Sequence, residues 1–128
     1  TKDQKVVMIK QYRFGSQKIS LEIPGGMVDA GEEAFPAAIR EMKEETGYDS
    51  KEVHEIGKIS PNPALMSNNN YSYVAYNVER TCDQQLDSME DIEVLKIDLN
   101  QIPKLINNGE INHSLVISAF YLLDKFEK

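Results

Sequence analysis

Three glutamates, Glu41, Glu44 and Glu45, stand at i, i+3 and i+4 within Ala34 to Thr46, a stretch that reads as a helix. At about 100° per residue they share one helix face. Like charges so spaced destabilise an isolated helix by a few tenths of a kcal/mol each. They also sit in the last turn, where the macrodipole already disfavours anions. A divalent cation would remove this penalty, because carboxylate oxygens are natural ligands of Mg²⁺. A solvated acidic face, relieved by Arg40 and Lys43, is the other reading of the same pattern. The residues before the helix favour a site. Pro24-Gly25-Gly26 and Asp29-Ala30-Gly31 form a Gly-rich loop feeding into it, and such a backbone can approach closely where a side chain would obstruct.

Around this helix the chain alternates strand-like and helix-like segments. Pro36 lies in the helix's first turn, where a missing N–H matters little, and Gly47 is placed to cap its C-terminus. Val6 to Tyr12 and Lys18 to Ile23 read as a hairpin, Val53 to Ser60 and Tyr71 to Val78 as further strands, and Glu93 to Leu99 as another. Leu99 to Asn107 reads as a short helix. Asn112 to Phe126 reads as the last one, with Asn112 as its N-cap. Two hairpins among alternating helices favour a mixed sheet with helices on its faces.

With 128 residues, one domain spanning 1–128 is expected. The net charge of −7 argues against a nucleic-acid or anionic-membrane surface, both of which want clustered cations. The longest nearly apolar run, Ser114 to Leu123, is too short to span a bilayer. The single cysteine, Cys82, permits no intrachain disulfide and fits a reducing cytoplasm. The chain opens almost at once on a strand and without Met, so a missing N-terminal segment is expected.

The segment Gly26 to Tyr48, GMVDAGEEAFPAAIREMKEETGY, resembles the Nudix box, G-x5-E-x7-R-E-U-x-E-E-x-G-U, where U is a bulky aliphatic residue. Gly26, Glu32, Arg40, Glu41, Met42, Glu44, Glu45 and Gly47 match, and Tyr48 stands where an aliphatic residue is usual. Seven fixed positions at average residue frequencies would coincide by chance with odds on the order of one in a million. The resemblance implies an α+β Nudix fold, an α/β/α sandwich around a mixed sheet. It implies Glu41 and Glu45 as principal metal ligands, with the carbonyl of Gly25 beside them and Glu44 as a further ligand or catalytic group. It implies Arg40 and Glu32 as a structural ion pair, Gly26 and Gly47 as structural glycines, and Mg²⁺ as the cofactor, with Mn²⁺ as the alternative ion.

Gln11-Tyr12-Arg13, Glu22-Ile23-Pro24-Gly25-Gly26, Glu90-Asp91-Ile92 and Gly109-Glu110-Ile111 are similar to runs of the ADP-ribose and nucleotide-sugar pyrophosphatase branch, and Pro63 falls sixteen residues past Gly47 as in that branch. The loop from Ser60 to Asn70 contains no acid where the ADP-ribose form usually has one, which leaves room for other nucleotide sugars. The resemblance thus implies hydrolysis of the diphosphate of a nucleoside diphosphate sugar or ADP-ribose, giving a nucleoside monophosphate and a sugar phosphate. Hydrolysis of nucleoside triphosphates, or nucleotide binding without turnover, is the alternative. A homodimer is implied as well.

Arg13 ends a strand where a guanidinium could pair with a diphosphate oxygen. With the box carboxylates engaged by metal, the proton of the attacking water needs another acceptor on a loop. Of the acidic cluster Glu90, Asp91 and Glu93, the last alternates away from Ile92 and Val94, and Asp91 suits a turn. Glu90 remains, and it aligns with the branch's catalytic glutamate. Tyr71 and Tyr73 share a strand face and read as packing residues. His54 and His113 have no metal-ligand spacing to another His or Cys.

Overall fold

Apolar residues occupy both alternating sets along Lys5–Arg13 (β1), so this strand must be covered on two faces. In the structure, a computed structural model describing residues 1–128, Met8 and its neighbour Ile9 are both buried, and they point to opposite faces. Met8 packs in a cluster with Ile102, Ile111 and Val116, to which Val6, Leu95, Ile97 and Phe120 add their flanks. β1 is the centre of a three-stranded ladder, with Lys18–Glu22 (β2) on one side and Ile92–Asp98 (β7) on the other. Both pairings are antiparallel, with Ile9 opposite Glu22 and also opposite Val94.

Glu52–Ile59 (β4) and Asn70–Tyr76 (β5) form a second antiparallel ladder, bulged between Glu55 and Gly57. Tyr48–Asp49 (β3) and Glu79–Arg80 (β6) form a third of two residues per strand. The α+β class stands, with helices packed against antiparallel ladders. The mixed sheet is corrected in detail: every hydrogen-bonded pair of strands is antiparallel, because the neighbours are hairpins or returns and no crossover helix joins adjacent strands.

The first helix, α1, covers Ala34–Thr46. Its C-terminus is sealed by Gly47 at φ 75°, a left-handed conformation that donates its N–H to the Lys43 carbonyl. A Cβ at Gly47 would also lie 2.2 Å from the Cys82 carbonyl oxygen, so two independent constraints require glycine there. Phe35, in the first turn, meets the ring of Tyr73 edge-on at 5.6 Å, docking α1 on β5.

The segment after β7 opens with a 3₁₀ turn, Leu99–Gln101, before α2, Ile102–Asn107; Pro103 in the first helical turn interrupts no hydrogen bond. The last helix, α3, spans Ser114–Phe126 and packs on β4 and β5. Its N-cap is His113 rather than Asn112: the ring Nδ1 accepts the Leu115 N–H at 3.2 Å, two residues on, where an Asn side chain one position earlier does not serve. No helix is long and apolar enough to cross a membrane.

Candidate active site

The Gly-rich loop after β2 lies along the carboxylate face of α1. A Cβ on Gly26 would sit 2.4 Å from the carboxylate carbon of Glu41, so the bare backbone there makes the space that Glu41 occupies. One residue earlier, the Gly25 N–H donates to Glu45 Oε2 at 2.9 Å. The Gly25 carbonyl accepts no hydrogen bond from the chain.

Arg40 ties loop to helix. Its Nε and Nη2 donate to the two oxygens of Glu32 at 3.0 and 2.9 Å, and Nη2 also donates to the Met27 carbonyl at 3.2 Å. These bonds hold the Glu32 carboxyl below the usual carboxylate range. The other guanidinium nitrogen, Nη1, donates to Glu41 and to Glu44, both at 3.0 Å.

The electrostatics are strongly one-sided. Glu45 is buried at 3% exposure although it is a carboxylate. Burial pushes it up to about 7; the Gly25 N–H opposes this, the charges of Glu41 and Glu90 add to it, and Arg13 again opposes. Glu41 is raised too, by burial first, against the pull of Arg40 and with a push from Glu44 and Glu90.

Glu90 is half-buried on the loop before β7 and close enough for its charge to act on both Glu41 and Glu45. Its Oε2 accepts the Asp87 N–H at 2.9 Å and its own N–H donates to the Asp87 carbonyl at 3.0 Å, closing a tight turn. Asp91 and Glu93, its acidic neighbours, are exposed.

Arg13 lies near the site but is engaged by the protein. Its Nε and Nη2 form a two-pronged pair with Glu22 at 2.8 and 2.6 Å, while Nη1 makes no hydrogen bond. Glu22 is 3% exposed. Burial raises its carboxyl, but the hydrogen bonds from Arg13 and the Arg13 charge win, leaving it below the usual range. Sequence reasoning gave Glu22 no role, because Ile19, Leu21 and Ile23 alternate with it and assign it to the polar face. A second residue without a sequence signal is Gln84, whose contacts reach two distant segments.

These residues suit a hard divalent cation in donor chemistry: three carboxylates on one helix face, a free backbone carbonyl, and a glycine cradle around Glu41. No three of the acidic, histidine or cysteine side chains already converge on a single point as a ligand sphere. Arg40 donates to Glu41 and Glu44, and the Gly25 N–H donates to Glu45. A cleft of about 760 Å³ reaches Glu41 and is lined also by Arg13, Gly26, Asn69, Tyr71 and Tyr73 among others. That volume is within the range of small-molecule sites.

A family model described as NUDIX domain matches residues 1–119. A Caenorhabditis elegans protein with a nudix hydrolase name is 36% identical over 123 residues, covering 91% of this chain and 55% of the relative. The ADP-ribose pyrophosphatase of Bacillus subtilis is 30% identical over 112 residues, covering 87% of this chain and 60% of that enzyme. A crystal structure of an ADP compounds hydrolase superposes with a TM-score of 0.86 at 25% identity, covering 97% of this chain and 66% of that one. The chain therefore spans little more than half to two thirds of the length of these relatives.

Proposed function

Because this chain belongs to the NUDIX domain family, we propose that it hydrolyses the diphosphate of ADP-ribose or a nucleoside diphosphate sugar to a nucleoside monophosphate and a sugar phosphate. The observation that carries this reading is the packing of Gly26 against Glu41 beside a buried Glu45, with Glu90 close enough to act on both. The names of the ADP-ribose pyrophosphatase and the ADP compounds hydrolase support the substrate class.

In this reading Glu41, Glu44, Glu45 and the Gly25 carbonyl hold Mg²⁺, with Mn²⁺ as the alternative ion. The bound ion would neutralise phosphoryl charge and lower the pKa of a water ligand. The chain's own residues do the rest. Arg40 and Glu32 keep the loop on the helix, so that Gly25 and Gly26 stay against the carboxylates. Glu90 takes the proton of the attacking water. The free Nη1 of Arg13 can donate to a diphosphate oxygen while Glu22 fixes the other two nitrogens. Residues 1–128 are proposed to act as one domain in the cytoplasm; the net charge of −7 supports only the absence of nucleic-acid and anionic-membrane partners.

A panel assay tests the substrate class. With Mg²⁺, kcat/KM is expected to be higher for ADP-ribose and nucleotide sugars than for nucleoside triphosphates. The reverse order would favour the triphosphate reading, and binding of nucleotides without turnover would favour a non-catalytic domain. The protein is also proposed to act as a homodimer, in keeping with the branch it resembles. Light scattering at assay concentration is expected to give twice the chain mass of 14.5 kDa, and a fully active monomer would contradict it.

A further inference from the structure

The segment between β6 and β7 is fastened to the C-terminal end of α1. The Gly47 carbonyl accepts the N–H groups of Thr81 and Cys82 at 2.8 and 3.3 Å, and the Glu44 carbonyl accepts that of Gln85 at 2.8 Å. One side chain in the segment bonds to both α1 and β7. Gln84 Nε2 donates to the Glu45 carbonyl at 2.6 Å and to the Ile92 carbonyl at 3.0 Å, joining the last turn of α1 to the first residue of β7. Both amide hydrogens are used, which only a primary amide at this reach supplies from one nitrogen without charge. Between Gln84 and Ile92 lies the Asp87–Glu90 turn.

We infer that Gln84 is a positioning residue that sets the distance between Glu90 and the carboxylate face of α1; this rests on the reading of Glu90 as general base. The geometry forces the link. Gln84 pins the two ends of the Glu90 loop, one on the residue bearing the Glu45 carboxylate and the other two residues beyond Glu90. Loss of both donors cuts the side-chain link between α1 and β7 and leaves only the main-chain bonds of Thr81, Cys82 and Gln85 to hold the segment before the Glu90 turn. A misplacement of about 1 Å at a reacting group lowers the rate by up to about 10²-fold.

The test is a kinetic cycle on the whole chain with Mg²⁺ and ADP-ribose, using Gln84→Met, which keeps length and neutrality but removes both donors, and Glu90→Gln. Gln84→Met is expected to lower kcat roughly 10- to 100-fold with KM within about twofold. In the Glu90→Gln background the same change is expected to lower kcat less than about twofold, because the group it positions has already lost its function. Equal effects in both backgrounds, or a wild-type kcat in Gln84→Met, would overturn the inference while leaving Glu90 as base. A wild-type kcat in Glu90→Gln would instead remove the reading on which it rests. If Gln84→Met fails to fold, Gln84→Asn carries the same cycle: it keeps the donors but is too short to reach both carbonyls. Reduced kcat at unchanged KM there supports the strap, and unchanged kcat contradicts it.

Discussion

Glu90→Gln is expected to lower kcat by roughly 10²–10⁴-fold while KM stays within a few-fold, the signature of a group needed in the transition state and not for binding. Two features single it out from the acids around it. Asp91 and Glu93 are exposed, whereas Glu90 is half-buried with its charge acting on Glu41 and Glu45. In the proposed reading the box carboxylates bind the metal, which leaves the proton of the attacking water to another acceptor. Steady-state kinetics of Glu90→Gln and Glu93→Gln side by side check this. A collapse in Glu93→Gln with a normal Glu90→Gln would move the role to Glu93. Normal rates in both would mean that no protein base is required.

Glu45→Gln is expected to abolish most turnover at ordinary Mg²⁺. It removes the charge of the most buried carboxylate on the face, and its effect on metal affinity is expected to exceed the roughly 10–100-fold produced by losing an outer-sphere partner. The same variant is expected to be more stable than the parent in the absence of metal at pH 8. The sign follows from the carboxyl being raised by burial from its ordinary value of 4.5 to about 7 in the fold. Between those values the Glu45 carboxyl binds its proton more tightly in the folded than in the unfolded chain, so its contribution to metal-free stability is fully present below about 4.5 and is lost as pH rises through about 7. Glutamine keeps an oxygen for the Gly25 N–H and carries no charge at any pH. A gain of ~1 kcal/mol would read as roughly 3–5 °C in Tm for a domain of this size. By the same linkage, Mg²⁺ affinity of the parent chain is expected to rise with pH through about 7, as the metal displaces the proton. Calorimetric titration at pH 6 and pH 8 measures it, and equal affinities would contradict the assignment of Glu45 as ligand.

The parts of this site that are local in sequence were legible there. Helix α1 runs from Ala34 to Thr46 as read, because Pro36 and Gly47 mark its two ends by their own backbone preferences. The face shared by Glu41, Glu44 and Glu45 follows from helical periodicity alone. What depends on distant backbone was not legible. The strands β3 and β6 are two residues each, and their join rests on carbonyls of Gly47 and Glu44 bonding to residues some 34 to 41 positions on, which no local pattern records. Glu22 sits at a polar position of an alternating strand, yet it is buried, with the Arg13 guanidinium from the neighbouring strand paired to it. Gln84 binds only main-chain oxygens, which have no residue identity to read. Alternation also could not decide strand direction, so the mixed sheet expected from hairpins and helices gives way to antiparallel ladders.

The acidic face of α1 and the loop around Gly26 are proposed as a divalent-metal site at which a diphosphate is hydrolysed. Incubation of the chain with ADP-ribose and Mg²⁺, followed by ³¹P NMR of the products, tests it most directly. AMP and ribose 5-phosphate are expected in equal amounts, with no reaction when EDTA removes the metal. Undiminished turnover in EDTA, or release of inorganic phosphate in place of the two monoesters, would contradict it.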